Sequence, residues 1–124
     1  DGSGNVTQSI EPNGKTTNST YTGANLLTKQ EVVFGTGVIT YTFSYDTLGR
    51  LREKRDGENN PTLYEYTTLS LPTKVKTGSG IEQSTTTYTY DTYGNPLTLT
   101  DGSGSVRTYT YDAFSRLATE TSPE

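Results

Sequence analysis

Residues 41–51 read YTFSYDTLGRL, and this stretch decides the fold because it recurs along the chain. It consists of an aromatic residue two places before a tyrosine, an aspartate, two spacers, a small residue and Arg-Leu. Residues 88–97 read YTYDTYGNPL, and residues 109–117 read YTYDAFSRL. A weaker copy, YEYTTLSL, covers residues 64–71, and a fainter one begins at Tyr21. Internal repetition of this kind predicts a repeat architecture.

The spacing of the copies is more regular than their residues. The small residue recurs in steps of 21, 24, 21, 24 and 21, at Gly4, Asn25, Gly49, Ser70, Gly94 and Ser115. The period is therefore a double unit of 45 residues, of which residues 1–124 hold about 2.75 copies. We place the single units near residues 1–21, 22–45, 46–66, 67–90, 91–111 and 112–124. Because Asp1 occupies the place of Asp46 and Asp91, we expect a longer array around this sequence.

Alternating side chains predict strands rather than helices. In residues 87–90 and 108–111 the tyrosines fall on one face and the threonines on the other. Turn signals lie at residues 12–14, 35–37, 56–57, 78–80 and 101–104. The Asn-Gly and Asp-Gly pairs among them predict type I′ turns, in which both central residues have positive φ. No stretch has helical periodicity, so we predict an all-β fold of tandem antiparallel β-hairpins.

Composition excludes several classes of protein. Only 28% of the residues are hydrophobic, against roughly 45–50% in typical globular domains, but the regular tyrosines and the abundant threonine favour strands over disorder. The net charge of −4, with both signs interspersed, provides no basic surface for nucleic acid. No apolar run approaches the ~20 residues of a membrane span. The absence of cysteine and histidine removes the usual zinc ligands and nucleophile–base pairs.

These motifs resemble the YD repeats (Tyr-Asp repeats) of the Rhs proteins, of the B and C components of bacterial Tc toxins, of wall-associated bacterial proteins and of the teneurin shell. Residues 45–51 match the family pattern fully, whereas the other copies depart from it. Asn95 replaces the arginine, Ser115 replaces the glycine, and Tyr66 is followed by neither Asp nor Arg. The resemblance covers essentially the whole chain. It implies hairpins joined edge to edge in a spiralling sheet that forms a hollow shell or tube.

The candidate site residues are those of the motif, and we assign them structural roles. A carboxylate copied in every unit has no unique partner for acid–base chemistry, whereas an aspartate in a turn accepts bonds from nearby backbone N–H groups. The arginines are expected to pair with those carboxylates or with turn carbonyls. We predict no catalytic, metal or cofactor site. The motif residues are Tyr21, Tyr41, Phe43, Tyr45, Asp46, Gly49, Arg50, Leu51, Tyr64, Tyr66, Tyr88, Tyr90, Asp91, Gly94, Tyr109, Tyr111, Asp112, Arg116 and Leu117.

Two functional hypotheses follow, and neither is enzymatic. The first is a structural segment of a large secreted or cell-surface bacterial YD/Rhs protein, forming the wall of a cargo-enclosing shell or of an extracellular tube or filament. The alternative is an adhesive module that contacts glycans or another cell through exposed loops and tyrosines. The expected partners are flanking repeats of the same chain or identical copies. An enclosed C-terminal toxin polypeptide and a glycan are further candidates, whereas nucleic acid and a direct membrane span are not expected.

Overall fold

A computed structural model describes residues 1–123 of the chain, without the side chain of Glu82. The last predicted unit ends at Glu124, which lies outside these described residues. The described part contains eleven strands, which are β1 Gln8–Ile10, β2 Thr16–Tyr21, β3 Leu27–Phe34, β4 Gly37–Tyr45, β5 Leu51–Arg55, β6 Pro61–Tyr66, β7 Pro72–Thr77, β8 Ser84–Tyr90, β9 Pro96–Thr100, β10 Val106–Tyr111 and β11 Leu117–Thr121. A three-residue 3-10 turn, Gly80–Glu82, precedes β8. Within the described residues, no helix is long and apolar enough to span a membrane.

The chain divides into two compact units, and each unit consists of β-hairpins. The first unit, Asp1–Pro61, holds β1 to β5, and each of these strands pairs antiparallel with the next one in sequence. The second unit, Thr62–Glu124, holds nearly all of β6 and the strands to β11, paired in the same way. The predicted all-β fold of tandem antiparallel hairpins is therefore confirmed.

The strands give each unit a tyrosine face and a threonine face, because successive side chains point to opposite sides. On β4 the tyrosine face carries Ile39, Tyr41, Phe43 and Tyr45, and the threonine face carries Val38, Thr40, Thr42 and Ser44. In the second unit, Tyr88 and Tyr90 alternate with Thr87 and Thr89. Threonine hydroxyls pair across strands on the threonine face, where the Oγ1 atoms of Thr89 and Thr98 are 2.6 Å apart.

Neither unit has a closed core. Every residue whose burial is described is at least partly exposed, including the motif tyrosines, which are half-buried. Side chains on a single layer of strands are shielded only by their neighbours in the same sheet, and not by a second layer. Lateral contacts between hairpins therefore provide the burial that a globular domain obtains from layer packing.

A β-bulge accompanies each motif tyrosine. The register of strand pairing shifts immediately before Tyr21, Tyr45, Tyr66, Tyr90 and Tyr111. The extra residue lies on the following strand: Ser44 is opposite Glu53 and Tyr45 is opposite Leu51, which leaves Arg52 without an opposite residue. Bulges bend a strand and increase its twist. Each copy of the motif therefore introduces the same local bend.

The 21-residue and 24-residue intervals differ in how their hairpins close. The shorter ones close through five-residue loops at residues 11–15, 56–60 and 101–105. One longer interval lengthens its strands instead, because β3 and β4 have 8 and 9 residues and join through Gly35, with φ of 56°, and Thr36. The other places the 3-10 turn between β7 and β8. The boundaries that we assigned to the units stay a prediction.

Candidate functional site

One five-residue loop occurs nine times in the described chain, and we call it the repeat loop, with positions one to five. In every copy the N–H of position four donates to the carbonyl of position one, and the nitrogen of position one donates to the carbonyl of position five, at 2.8–3.2 Å. The copies are residues 1–5, 11–15, 22–26, 46–50, 56–60, 67–71, 91–95, 101–105 and 112–116. Three of the five predicted hairpin turns, at residues 12–14, 56–57 and 101–104, therefore share one loop with the motif corners, whereas the turns at residues 35–37 and 78–80 have other geometries.

Position four is the only place in the repeat loop where the backbone is left-handed. Its φ lies between 58° and 86° in all nine copies, and the residue there is Gly, Asn or Ser. This pattern is a type I turn followed by a left-handed residue. The type I′ turns predicted from Asp-Gly and Asn-Gly are therefore wrong, because neither Asp nor the glycine at position two has positive φ in the loops 56–60 and 101–105.

The glycine at position two of those loops has another purpose. A Cβ on Gly57 would collide with Cγ2 of Ile39, and a Cβ on Gly102 would collide with the Ser84 hydroxyl. By contrast, a Cβ on Gly23, at position two of the loop 22–26, would meet nothing within 4 Å. Close approach of the adjacent hairpin therefore explains the Asp-Gly pairs.

Replacing Gly57 by alanine is expected to lower the free energy of unfolding by about 1–3 kcal/mol, as overpacking does. The branched Ile39 side chain is stiff at χ1 and cannot swing away freely. The Gly23→Ala change at the matched position should be neutral or stabilising by about 0.4–1 kcal/mol, because it restricts the unfolded chain. Urea unfolding of the two variants measures the difference. Equal effects would show that Ile39 does not restrict position two.

The side chain of position one closes the repeat loop in eight of the nine copies, and in the loop 11–15 the Asn13 side chain accepts the Lys15 N–H instead. In each copy that begins with aspartate, Oδ1 accepts the N–H groups of positions three and five at 2.8–3.1 Å, at Asp1, Asp46, Asp56, Asp91, Asp101 and Asp112. Thr22 and Thr67 accept the same two bonds through Oγ1 at 3.1–3.2 Å. The hydroxyl thus replaces the carboxylate where the sequence motif is degenerate.

The second carboxylate oxygen binds the side chain of position five. Oδ2 of Asp46 accepts the Nε–H of Arg50 at 2.6 Å, and Oδ2 of Asp112 accepts that of Arg116 at 2.7 Å. In the loop 91–95, the Asn95 amide donates to Oδ2 of Asp91 at 2.8 Å. Asparagine and arginine therefore fill the same role at this position, which explains why Asn95 replaces the motif arginine without changing the loop.

These bonds lower the pKa of five loop aspartates. The leading cause is the backbone N–H of position five at Asp46, Asp56 and Asp112, the Asn95 amide at Asp91, and the Ser103 hydroxyl at Asp101. A carboxylate that accepts several hydrogen bonds is favoured in its charged form. The lowered pKa values therefore reflect closure of the loop, and they do not require a catalytic environment.

Converting Thr22 to aspartate is expected to stabilise the chain by about 0.5–1 kcal/mol. A carboxylate accepts shorter and stronger bonds than a hydroxyl does, and Thr22 already accepts both loop N–H groups. The control is Thr47→Asp, which adds the same charge at position two of the loop 46–50. The melting temperature at pH 7 should rise for the Thr22→Asp variant and stay unchanged for the control. A comparable rise in the control would attribute the gain to net charge.

The motif tyrosine connects the end of its own strand to the chain at the start of the strand before it. The hydroxyl of Tyr45 donates to the Leu27 carbonyl at 2.8 Å, and that of Tyr90 donates to the Pro72 carbonyl at 2.7 Å. Tyr21 donates to the Val6 carbonyl at 3.0 Å in the same manner. Burial raises the pKa of Tyr90, so the phenol is kept in its neutral, donating form.

Successive motif loops also contact each other. In the first unit the Asn5 amide donates to the Asn25 side-chain oxygen at 2.9 Å, and in the second the Asn95 amide donates to the Ser115 hydroxyl at 3.2 Å. A Cβ on Gly94 would lie 3.3 Å from Cδ1 of Leu71, the last residue of the preceding motif loop. Gly94 is therefore small for two reasons, its left-handed backbone and its close neighbour.

The remaining motif residues lie within strands or begin them. Tyr41, Phe43, Tyr64, Tyr88 and Tyr109 are half-buried strand residues, and Leu51 and Leu117 begin the strands opposite Tyr45 and Tyr111. Sequence reasoning missed Thr22 and Thr67 as loop acceptors and Asn95 as the equivalent of Arg50. Their fixed distance from the small residue at position four was the available signal. Among the described residues, no group of three or more His, Cys, Asp or Glu side chains could hold a metal ion.

A repetitive all-β array of hairpins linked by one recurring loop is thus the class of protein that this geometry defines. Residues 90–124 match the family model of the RHS repeat. The resemblance to the YD/RHS repeat that the motifs predict is confirmed. No curated protein matches the chain.

Several solved structures share the fold over nearly the whole chain. The crystal structure of TcdB2-TccC3 is 19% identical, with a TM-score of 0.85 over 97% of this chain. The crystal structure of TcdB2-TccC3-Cdc42 is 18% identical, with a TM-score of 0.84 over 97%. The Tc holotoxin pore of Photorhabdus luminescens is 19% identical, with a TM-score of 0.84 over 98%. The chain spans only 6–7% of the length of these structures, so the likeness concerns the fold.

Proposed function

We propose that this chain is a structural segment of a large secreted or cell-surface bacterial YD/Rhs protein, and that it forms part of the wall of a shell. The observation that carries the proposal is the use of the motif residues. The carboxylate of each motif aspartate holds its own loop, and the hydroxyls of Tyr21, Tyr45 and Tyr90 hold the chain at the start of the preceding strand. These groups are already bonded within the chain, so we infer a non-catalytic role.

The partners that fit this role are further hairpins of the same kind. Strands β1 and β11 pair with a neighbour on one side in their units, and unpaired strand edges accept additional strands. We propose that flanking repeats of the same chain or identical copies supply them. The likeness to TcdB2-TccC3 supports a wall that encloses a C-terminal toxin polypeptide, and an open tube or filament is the other form such a wall can take.

Electron cryomicroscopy of the native, full-length protein tests this proposal. A closed β-shell with unrelated density inside would establish an enclosing wall. An open-ended assembly with the 45-residue double unit as its step would establish a tube or filament instead. A globular protein in which this segment packs face to face against another layer would contradict both forms of wall.

An adhesive function is the second candidate, and exposed aromatic residues favour it. Tyr93 and Phe114, at position three of their loops, are 84% and 79% exposed. Exposed aromatic rings can stack on sugars or insert into another protein surface. Binding of the chain to a glycan or to a target cell, lost on Tyr93→Ser and Phe114→Ser, would support adhesion in place of a purely structural role.

A further inference from the structure

The second unit contains a cleft lined by aromatic rings, between the loops 91–95 and 112–116. Its volume is about 540 Å³, which is in the range of roughly 300–1,000 Å³ of small-molecule sites. Three of its lining residues are tyrosines, Tyr93, Tyr109 and Tyr111. Tyr109 and Tyr111 are half-buried on β10 and point to the same face, about 7 Å apart. Tyr93 is 84% exposed, so its ring is open to a ligand.

One carboxylate of this cleft has no charge of opposite sign bound to it. Oδ1 of Asp91 accepts the N–H groups of Tyr93 and Asn95, and its Oδ2 accepts the Asn95 amide at 2.8 Å. These three donors are neutral. The other lining carboxylate, that of Asp112, has a cationic partner, because the Nε of Arg116 is 2.7 Å from its Oδ2. The cleft therefore carries one net negative charge beside its aromatic rings.

This charge lies close enough to the rings to act on them. Burial raises the pKa of Tyr111, and the negative charge of Asp91 raises it further. The carboxylate itself stays ionised at neutral pH, because the hydrogen bond from the Asn95 amide, above all, lowers its pKa. A cation in the cleft is therefore attracted both by a carboxylate and by the negative faces of aromatic rings.

The hydrogen bonds of the cleft decide which cation fits. The Asp91 carboxylate already accepts three of the roughly four bonds that it can take, and the Asn95 amide also donates to the Ser115 hydroxyl at 3.2 Å. A primary ammonium or a guanidinium brings several N–H donors, and each of them needs an acceptor. A quaternary ammonium has no N–H group, and charge and ring faces alone hold it in aromatic cages.

We propose that this cleft binds a quaternary ammonium group. The Asp91 carboxylate supplies the charge, and Tyr93, Tyr109 and Tyr111 supply the ring faces. Binding needs no proton transfer and breaks none of the hydrogen bonds that close the loop. Choline, the lipid head groups derived from it and trimethylated lysine share this chemistry. The site is a binding function in addition to the structural role, and it does not depend on whether the wall forms a shell or a tube.

The corresponding cleft of the first unit, about 500 Å³ in volume, lacks both features. Position one of its first loop is Thr22 and position three is Ala24, so neither the charge of Asp91 nor the ring of Tyr93 has a counterpart there. The carboxylate of its second loop is paired with Arg50 at 2.6 Å. The repeat by itself therefore does not create the site, which depends on the residues of the loop 91–95.

Chemical-shift titration of the full chain with choline chloride tests the proposal, at an ionic strength held constant with sodium chloride. The amide signals of Tyr93, Asn95 and Tyr111 should shift and saturate, with a dissociation constant on the order of 1 mM because the cleft is open. The uncharged isostere of choline, in which carbon replaces the nitrogen, fills the same space without the charge. It should bind about tenfold more weakly or less.

Two variants remove the net charge while they keep a loop closure that the chain already uses. Asn95→Arg adds the partner that Arg50 provides for its own aspartate, and Asp91→Thr adds the hydroxyl that Thr22 provides. Each should weaken choline binding about tenfold or more. The control is Asp101→Thr, which removes the same charge about 17 Å away, at the other end of β9, and should leave the affinity unchanged. Circular dichroism checks that each variant keeps its strands.

Vesicles of phosphatidylcholine identify the source of the ammonium group. Co-sedimentation of the chain with these vesicles that is lost on Asn95→Arg would assign the site to a lipid head group. Choline binding without vesicle binding would assign it to a free cation or to a methylated side chain.

Three results would overturn the proposal. The first is the absence of a saturable shift in the wild-type chain up to about 50 mM choline. The second is equal affinity of the wild-type chain for choline and for its uncharged isostere, a comparison that needs no variant to fold. The third is choline binding that the Asn95→Arg substitution leaves undiminished.

Discussion

Replacing Tyr90 by alanine is expected to lower the free energy of unfolding by about 2–3 kcal/mol, the largest effect of a single motif substitution. A fully buried aromatic side chain costs about 3–5 kcal/mol when it is removed, and Tyr90 is half-buried. The change also removes the hydrogen bond of 2.7 Å to the Pro72 carbonyl, which connects β8 to the start of β7. Urea unfolding at low protein concentration gives the measurement.

Two further variants separate the ring from the hydroxyl. The Tyr90→Phe change removes only the bond to Pro72 and should cost about 0.5–1.5 kcal/mol. The Tyr93→Ala change removes the same type of side chain from an exposed position of the loop 91–95. The free energy of unfolding of this variant should stay within about 0.5 kcal/mol of the wild-type value. If Tyr93→Ala were as costly as Tyr90→Ala, the connection between β8 and β7 would not explain the motif tyrosine.

Acidification is expected to unfold the chain through its repeat loops. The pKa values of the loop aspartates are lowered from an ordinary value of 3.8, so the folded state binds fewer protons than the unfolded state near that pH. Their contribution is complete above the ordinary value and is lost as the pH falls below it. The melting temperature should therefore change little between about pH 7 and pH 5 and fall steeply below about pH 4.

The loops without a carboxylate provide the control for this prediction. Thr22 and Thr67 close the same loop with a hydroxyl that does not titrate in this range. A triple variant with threonine at Asp46, Asp91 and Asp112 should start from a lower melting temperature and lose less of it below pH 4. Thermal melts followed by circular dichroism from pH 7 to pH 2 measure both slopes. Parallel curves for the two proteins would assign acid unfolding to groups outside the loops.

The strand pattern could be predicted because its causes are local. Alternation between tyrosine and threonine in residues 87–90 requires only that strand side chains point to opposite faces, and the structure places β8 there. The positions of the turns were also predictable, because glycine and aspartate mark them. Their geometry was not, since the Asp56-Gly57 pair suggested positive φ where the glycine is in fact required by Ile39, 18 residues earlier.

The candidate site was predictable in part for the same reason. That a turn aspartate accepts nearby N–H groups follows from its chemistry, and Asp46 does so. The equivalence of Asn95 and Arg50 depends on what reaches Oδ2 of the aspartate four residues earlier, which requires coordinates. The exposure of Tyr93 likewise could not be separated from the burial of Tyr90 by residue type, because both are tyrosines of the same repeat.

The sequence by itself determined the all-β class, the 45-residue period and the position of the motif, because these follow from short-range alternation and fixed spacing. The tertiary structure alone decided that one loop serves every motif corner and three of the hairpin turns, that each motif tyrosine is accompanied by a bulge, and that Tyr45 and Tyr90 donate to carbonyls 18 residues earlier. These features depend on the register between strands. Register is set by turn geometry and by the side-chain pattern of both strands in a pair, so one copy of the motif taken alone does not encode it.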